Sequence, residues 1–129
     1  MRLLLDTHAL LWVLTNRTRI TPKIRALLLD RRNQTWASAA SFYEIAVKYA
    51  ANRRHGPPID GDQLLALTRG ADYPILSISP EHAVAAGTTA PFHPDPFDRL
   101  LLAQAQVEGL QLVTHDEALA QYDSRTILF

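Results

Sequence analysis

Residues 2–15 read RLLLDTHALLWVLT, an apolar stretch that one acidic residue divides in two. The four residues before Asp6 have the length and apolar character of a buried strand, and the longer segment 7–15 favours a helix. A strand that leads directly into a helix is typical of the βαβ unit, from which parallel sheets are built. Asp6 interrupts the apolar run, and a buried carboxylate without a partner is costly, so this residue requires a specific role.

The same alternation of short apolar runs and longer helical stretches continues along the chain. Further strands are predicted at 34–37, 74–78, 110–113 and 126–129, and helices at 22–30, 38–52, 60–71, 80–86, 97–108 and 116–121. The breaks at 53–58 and 90–96 are polar or proline-rich but do not have the composition of a domain linker. The sequence therefore predicts one α/β domain over residues 1–129, with a central, mostly parallel sheet of four to five strands flanked by helices.

The composition excludes several classes of protein. A chain of 129 residues with 47% hydrophobic and 20% charged residues is too apolar for a disordered protein. The absence of cysteine excludes disulfide frameworks, cysteine-ligated metal sites and thiol nucleophiles. The 13 basic and 13 acidic residues give no formal net charge, which excludes a uniformly basic nucleic-acid-binding surface but not local basic patches.

The sequence predicts neither a secretory signal nor a membrane span. The apolar N-terminal stretch has one basic residue, is broken by Asp6 and His8, and lacks a convincing small-residue cleavage site. No apolar run approaches the roughly 18 residues that a membrane span requires. We therefore expect a cytoplasmic protein.

Four acidic residues fall near the ends of the predicted strands. Asp6 ends the first strand, and Asp116 follows the strand at 110–113 by a few residues. Glu44 lies in the second turn and Asp98 in the first turn of predicted helices that leave or face the same edge. Because ligands of open parallel sheets bind beyond the carboxyl ends of the strands, we expect these carboxylates to converge. Such a cluster offers oxygen ligands to Mg²⁺ or Mn²⁺, and its members would repel one another without a cation.

Each acid also has an ordinary structural interpretation. The patterns S-x-x-E at 41–44, D-P-x-D at 95–98 and T-x-x-E at 114–117 are typical of helix starts. Glu44 can also pair with a lysine one turn later, and Asp6 can cap the first helix. The residues alone leave both interpretations open.

Four segments match a known pattern in their order and intervals. They are LLLDTHALLW at 3–12, ASAASFYEIAVK at 37–48, HPDPFDRLLLAQA at 93–105 and LVTHDEAL at 112–119. Together they span nearly the whole chain and resemble the PIN-domain nucleases, most of all the VapC-type ribonuclease toxins of bacterial and archaeal toxin–antitoxin modules. The fold that this resemblance implies, a parallel sheet between helices, agrees with the fold predicted from the apolar pattern.

The resemblance implies a metal-dependent endoribonuclease that leaves a 5′-phosphate and a 3′-hydroxyl. The acids implied for catalysis and metal binding are Asp6, Glu44, Asp98 and Asp116, and the residues with a secondary role are Thr7, Thr114, Asp95 and Arg99. Glu117 is a spare carboxylate that competes with Asp116 for the fourth position. The implied cofactor is Mg²⁺ or Mn²⁺, and the implied partners are an RNA substrate, a cognate VapB-type antitoxin and a second copy of the chain in a homodimer.

Basic, histidine and aromatic residues supply further candidates for RNA contacts. The basic candidates are Arg53, Arg54, His55, Lys48 and Arg99. A solvated helix end is the favoured interpretation of the two adjacent arginines. None of the five histidines shows ligand spacing such as H-x-x-x-H, so we assign none to the site, although His8 and His115 lie beside the predicted site strands. Core packing or a subunit interface is favoured over base stacking for the aromatic residues Trp12, Trp36, Phe42, Tyr43, Tyr49 and Phe97.

Other classes of protein fit the residues less well. A non-catalytic PIN-like module that binds RNA or protein is the main alternative, and it predicts neither cleavage nor a metal-dependent change in stability. A haloacid-dehalogenase phosphatase needs an Asp-x-Asp pair, but His8 takes the second position. A receiver domain needs a lysine after a late strand, and no lysine follows Phe97. A P-loop or dinucleotide fold needs a glycine-rich loop, which the chain lacks.

Overall fold

A computed structural model describes residues 1–129 and shows one α/β domain built around a five-stranded parallel sheet. The strand order is β3-β2-β1-β4-β5, with every neighbouring pair parallel. The strands are β1 (Arg2–Leu5), β2 (Gln34–Ser38), β3 (Ile75–Leu76), β4 (Gln111–Thr114) and β5 (Ile127–Leu128). The predicted single α/β domain with a parallel sheet is therefore confirmed.

Seven α-helices cover the two faces of the sheet. They are α1 (Thr7–Thr15), α2 (Pro22–Leu29), α3 (Ala39–Ala51), α4 (Gly61–Gly70), α5 (Pro80–Thr89), α6 (Pro96–Glu108) and α7 (Glu117–Ala120), with a short 3₁₀ turn at Arg17–Arg19. All predicted helices form, but α5 extends to Thr89, beyond its predicted end at residue 86. Gly87 in this helix is insufficient to end it, and the Thr89 hydroxyl donates to the carbonyl of Ala85 at 2.8 Å. No helix is long and apolar enough to cross a membrane.

The central strand β1 divides the core into two halves. Leu3, Leu4 and Leu5 are completely buried. Because successive side chains of a strand point to opposite faces, Leu3 and Leu5 join one apolar cluster and Leu4 joins the other. The first cluster includes residues of α1 to α4, and the second includes residues of α6 and α7. Burial on both faces explains why the strand is apolar at three consecutive positions.

A buried polar network joins the second face of the sheet to α5 and α6. The Ser38 hydroxyl donates to Gln104 Oε1 at 2.5 Å, and the Gln104 amide lies 3.4 Å from His82 Nδ1. His82 Nδ1 also accepts the backbone N–H of Ser79 at 2.9 Å, so the ring proton is on Nε2, which donates to Glu108 at 2.8 Å. The network fixes the end of β2 against α6.

The register of β1 and β4 brings their carboxyl ends together. Leu5 is paired with Val113, and the backbone N–H of Asp6 donates to the carbonyl of Val113 at 3.0 Å. The first residue after β1 therefore lies beside the last residue of β4. This edge of the sheet is where the predicted acids are expected to meet.

Candidate active site

Asp6 is held rigidly at the end of β1, where it caps α1. Its Oδ1 accepts the backbone N–H of Ala9 at 2.7 Å, and its Oδ2 accepts the Thr114 hydroxyl at 2.5 Å. Burial raises the pKa of the Asp6 carboxyl above its ordinary value, although these two hydrogen bonds oppose the shift. The capping interpretation and the site interpretation are thus both compatible with the position of this residue.

Asp116 is held by a histidine. Its Oδ1 accepts the backbone N–H of Leu119 at 3.1 Å and so caps α7, while its Oδ2 lies 2.9 Å from His93 Nε2. Burial alone would raise the pKa of Asp116, but the hydrogen bonds from His93 and Leu119 outweigh it and hold the pKa below its ordinary value. A carboxylate in this setting stays ionised and keeps a fixed orientation.

Asp98, in the first turn of α6, faces the other acids without a matching positive charge. Burial, together with the nearby charges of Asp95, Asp6 and Glu44, raises the pKa of this carboxyl from 3.8 to about 7. His93 Nε2 lies 3.9 Å from Asp98 Oδ2 and lowers the pKa only partly. The carboxylates therefore form a cluster with an excess of negative charge.

Glu44 lies in the second turn of α3 and is almost completely buried. Its Oε2 pairs with the ammonium group of Lys48, which also lies 3.8 Å from Asp95. The predicted pairing of Glu44 with a lysine one turn later is therefore observed. Its Oε1 is buried without any hydrogen-bond partner. A buried carboxylate oxygen without a partner requires an explanation, such as an ordered water or a bound ion.

The acids line a polar cleft at the carboxyl edge of the sheet. Its volume is about 590 Å³, and its lining comprises Asp6, His8, Asp98, His115, Asp116, Glu117, Ala118 and Gln121. The side chains come from the start of α1, the start of α6 and the turn after β4. Glu44 is outside this lining, although its charge acts on Asp98. Three of the four predicted acids therefore share one cleft.

The family model of the PIN domain matches residues 3–124, nearly the whole chain. The chain belongs to the PIN domain family. No curated protein sequence matches it significantly.

Solved structures with the same PIN-like fold are toxin–antitoxin complexes. VapBC2 from Rickettsia felis, bound to a promoter DNA fragment, superposes with a TM-score of 0.69 at 16% identity, covering 100% of this chain and 98% of that chain. DNA-bound VapBC from Salmonella typhimurium superposes with a TM-score of 0.67 at 18% identity, covering 100% of this chain and 97% of that chain. A toxin–antitoxin complex from Klebsiella pneumoniae superposes with a TM-score of 0.64 at 20% identity, covering 96% of this chain and 94% of that chain. At these identities the likeness concerns the fold.

Three of the four secondary candidates in this PIN domain take different positions. Thr114 links two acids, because its hydroxyl donates to Asp6 and accepts the backbone N–H of Asp116 at 3.1 Å. Thr7 contacts the hydroxyl of Ser41 at 3.0 Å on α3. Arg99 is turned towards α5, where it donates to the carbonyl of Gly87 at 2.9 Å. Of these three, Thr114 is the one that contacts the acids directly.

The helix starts near the acids differ in part from the sequence patterns. Asp95 caps α6 as predicted, accepting the backbone N–H groups of Phe97 and Asp98 at 2.8 and 3.4 Å. Two other expectations are wrong. Helix α3 is capped by Ser38 rather than Ser41, and α7 by Asp116 itself rather than a threonine. Helix α3 begins directly after β2, so its cap precedes the predicted one, whereas β4 includes Thr114, so the cap of α7 follows the predicted one.

His93 is a site residue that the ligand-spacing rule missed. One ligand atom from each of His93, Asp98 and Asp116 lies within 4.8 Å of the others. The rule fails because the three residues come from separate elements and meet only in the folded domain. The available signal was the position of His93 in the proline-rich segment directly before the helix that carries the third acid.

The arrangement of this PIN domain fits a bound divalent cation. The oxygens of the clustered carboxylates form a donor set suited to Mg²⁺ or Mn²⁺. The unpartnered oxygen of Glu44 and the raised pKa of Asp98 both indicate negative charge without enough cationic partners. Lys48 forms ion pairs only with Glu44 and Asp95.

Proposed function

We propose that this PIN domain is the toxin of a VapBC-type toxin–antitoxin module and acts as a metal-dependent endoribonuclease. The observation that carries the proposal is the convergence of Asp6, Asp98 and Asp116 in one cleft of a PIN fold. The substrate is RNA, and the bond hydrolysed is the phosphodiester, giving a 5′-phosphate and a 3′-hydroxyl.

The residues that hold the cation, Mg²⁺ or Mn²⁺, are Asp6, Asp98 and Asp116, with Glu44 as the inner member of the group. When bound, the metal lowers the pKa of a coordinated water and neutralises charge on the phosphate. Thr114 and the backbone N–H of Ala9 fix the Asp6 carboxylate, and His93 fixes that of Asp116. The protein thus supplies orientation and charge, and the chain has no cysteine to serve as a nucleophile.

The proposed partners follow from the kind of module. The structural neighbours are toxin–antitoxin complexes, so we assign this chain a cognate VapB-type antitoxin that blocks the acidic cleft. We also assign it a homodimeric state and a place in the cytoplasm of a bacterium or archaeon, where RNA and antitoxin are both present.

A non-catalytic binding module is the alternative, because Asp6, Asp95 and Asp116 all cap helices. Capping explains these three acids without any metal. It does not explain Glu44, a buried acid with one unpartnered oxygen, or Asp98, whose pKa is raised by burial and by the charges of neighbouring acids. A non-catalytic binding module gains nothing from repulsion between buried carboxylates, so the nuclease is the better explanation.

The deciding experiment is cleavage of total cellular RNA by the purified protein freed of any antitoxin. Wild type and Asp98→Asn are compared in Mg²⁺, Mn²⁺ and EDTA. Asp62→Asn is the matched control, since Asp62 is an exposed first-turn acid of α4, away from the cleft. We expect cutting by wild type and Asp62→Asn with metal only, and none by Asp98→Asn. Folded, metal-loaded wild type that cuts no RNA supports the binding module instead.

A further inference from the structure

A second groove continues directly from the acidic cleft. It has a volume of about 660 Å³, and its lining includes His8, Trp12, Arg19, Lys48, His55 and His115. His8 and His115 line both the groove and the acidic cleft. A chain-like ligand with one unit at the acids therefore places its next units in this groove.

Three rings form a cluster at the junction of the two. His8 and Trp12 are one turn apart on α1, with ring centroids 5.6 Å apart. His115, from the turn after β4, lies 5.2 Å from the ring of His8 and 4.8 Å from that of Trp12. Both imidazoles are exposed, whereas Trp12 is half-buried. Trp12, for which core packing or a subunit interface was favoured over base stacking, thus also supports an exposed aromatic surface.

The groove also carries positive charge that no acid neutralises. The Arg19 guanidinium lies 4.3 Å from the centre of the Trp12 ring and forms no ion pair. Arg19 and His55 are exposed. Lys48 is half-buried and is paired with Glu44 and Asp95. A cluster of aromatic rings beside a guanidinium without an acidic partner is the combination that binds the bases and phosphates of single strands.

We propose that this groove is a nucleotide-binding subsite for single-stranded RNA. An unpaired base stacks on the ring cluster of His8, Trp12 and His115, and an adjacent phosphate binds Arg19. The proposal rests on the proposed function and narrows the substrate to unpaired RNA next to the cut. A base inside a duplex offers no free face for stacking, so a fully paired RNA is excluded from the subsite.

The subsite can be tested by binding, without cleavage. The chain has two tryptophans, so Trp36→Phe leaves Trp12 as the reporter. The Trp36 indole nitrogen is buried without a partner, so phenylalanine removes an unsatisfied group. Asp98→Asn is added to prevent cutting. Titration with a short single-stranded oligoribonucleotide is expected to change the Trp12 emission, and a hairpin stem of the same length is not.

Further variants separate stacking from general charge. Arg19→Ala and His115→Ala are each expected to weaken binding about tenfold, as loss of one stacked or charged contact does. His115→Phe should restore most of the affinity, because it keeps a ring without the imidazole. Arg31→Ala is the control, because it also removes one positive charge. Arg31 is exposed and precedes β2, at the opposite edge of the sheet. An oligonucleotide made of abasic units should bind about as weakly to wild type as the full RNA does to His115→Ala.

The outcomes distinguish this subsite from the proposed function. Equal losses in Arg19→Ala and Arg31→Ala, or equal binding of stem and single strand, would overturn the subsite even if wild type cuts RNA. Trp12 emission that does not change on titration with the single-stranded RNA would also overturn the subsite and favour a protein occupant of the groove. If the Trp12 emission changes only with RNA that carries bases, and the wild type cuts no RNA, the subsite is supported and the nuclease is rejected. If His115→Ala does not fold, His8→Ala replaces it in the same comparison.

Discussion

His93 Nε2 donates a hydrogen bond to Asp116 Oδ2 at 2.9 Å, because its Nδ1 already accepts the backbone N–H of Asp95 at 3.2 Å. The backbone contact fixes both the ring orientation and the position of the proton. The loop that leads into α6 thereby controls the orientation of an acid that lies beyond β4. His93 acts on the site by positioning Asp116, as a partner of a metal ligand commonly does.

The first prediction concerns this contact. His93→Ala should raise the Mg²⁺ concentration needed for half-maximal cleavage by about 10- to 100-fold, because Asp116 loses its orienting donor. His93→Gln should recover part of the loss, since its amide can still donate. Cleavage rates measured against Mg²⁺ concentration test this. Unchanged metal dependence in a folded His93→Ala protein would show that the contact has no role in the site.

The second prediction concerns the stability of the metal-free protein. The pKa of Asp98 is about 7 in the folded protein and 3.8 ordinarily, so the folded state binds this proton more tightly than the unfolded chain. The charged carboxylate therefore destabilises the fold above about pH 7, and this cost is relieved as the pH falls from 7 towards 4. Asp98→Asn should raise the unfolding midpoint in EDTA at pH 8 by several degrees and much less at pH 4.5. Thermal unfolding at the two pH values measures the difference; an equal shift at both would contradict the charge argument.

The third prediction concerns the hydroxyl that links Asp6 to Asp116. Thr114→Val keeps the shape of the side chain but removes the donor to a buried carboxylate, which should lower the free energy of unfolding by about 1–3 kcal/mol. Thr114→Ser retains the hydroxyl and should lose less stability and retain more cleavage than Thr114→Val. Denaturant unfolding and cleavage rates compare the two. Equal loss in both variants would assign the effect to packing.

The fold was predictable because its signals are local. The apolar runs define the strands, and Pro22, Pro80 and Pro96 each occupy a first helical turn. Gly109, with φ of 68°, ends α6 in the left-handed conformation that glycine favours. The position of the acids at one edge followed from parallel topology. These features need only the order of residues along the chain.

The long-range contacts within the site were not predictable, because they join residues that are distant in sequence. The Thr114 hydroxyl meets Asp6 across 108 positions, and His93 meets Asp116 across 23. Local patterns also misplaced two caps, since several serine, threonine and aspartate residues near a helix start can satisfy the same rule. Only the relative placement of β1, β4 and α6 selects among them.

The fourth prediction concerns the buried network beneath the site. Gln104→Ala removes the acceptor of the Ser38 hydroxyl and the amide beside His82, all of them buried. We expect a loss of about 1–3 kcal/mol in the free energy of unfolding. Gln106→Ala, two positions along α6 at an exposed site, should change stability by less than about 0.5 kcal/mol. Chemical denaturation of both variants measures the contrast, and similar losses would mean that the network contributes little.

The last prediction separates a metal site from a set of helix caps. A cation that binds the folded acids but not the unfolded chain stabilises the fold by about 2.7 kcal/mol when its concentration is 100 times its dissociation constant. Mg²⁺ or Mn²⁺ should therefore raise the unfolding midpoint of the wild type, while Na⁺ at the same ionic strength should not.

The same measurement on variants locates the effect. Asp98→Asn should remove most of the metal-induced shift, because it takes both a ligand and the unbalanced charge from the cleft, and Asp62→Asn should keep it. A shift of equal size in the two variants would mean that the metal acts on surface charge in general. The acids at the carboxyl edge would then be explained by capping alone, and Asp98 would owe its raised pKa to crowding without function.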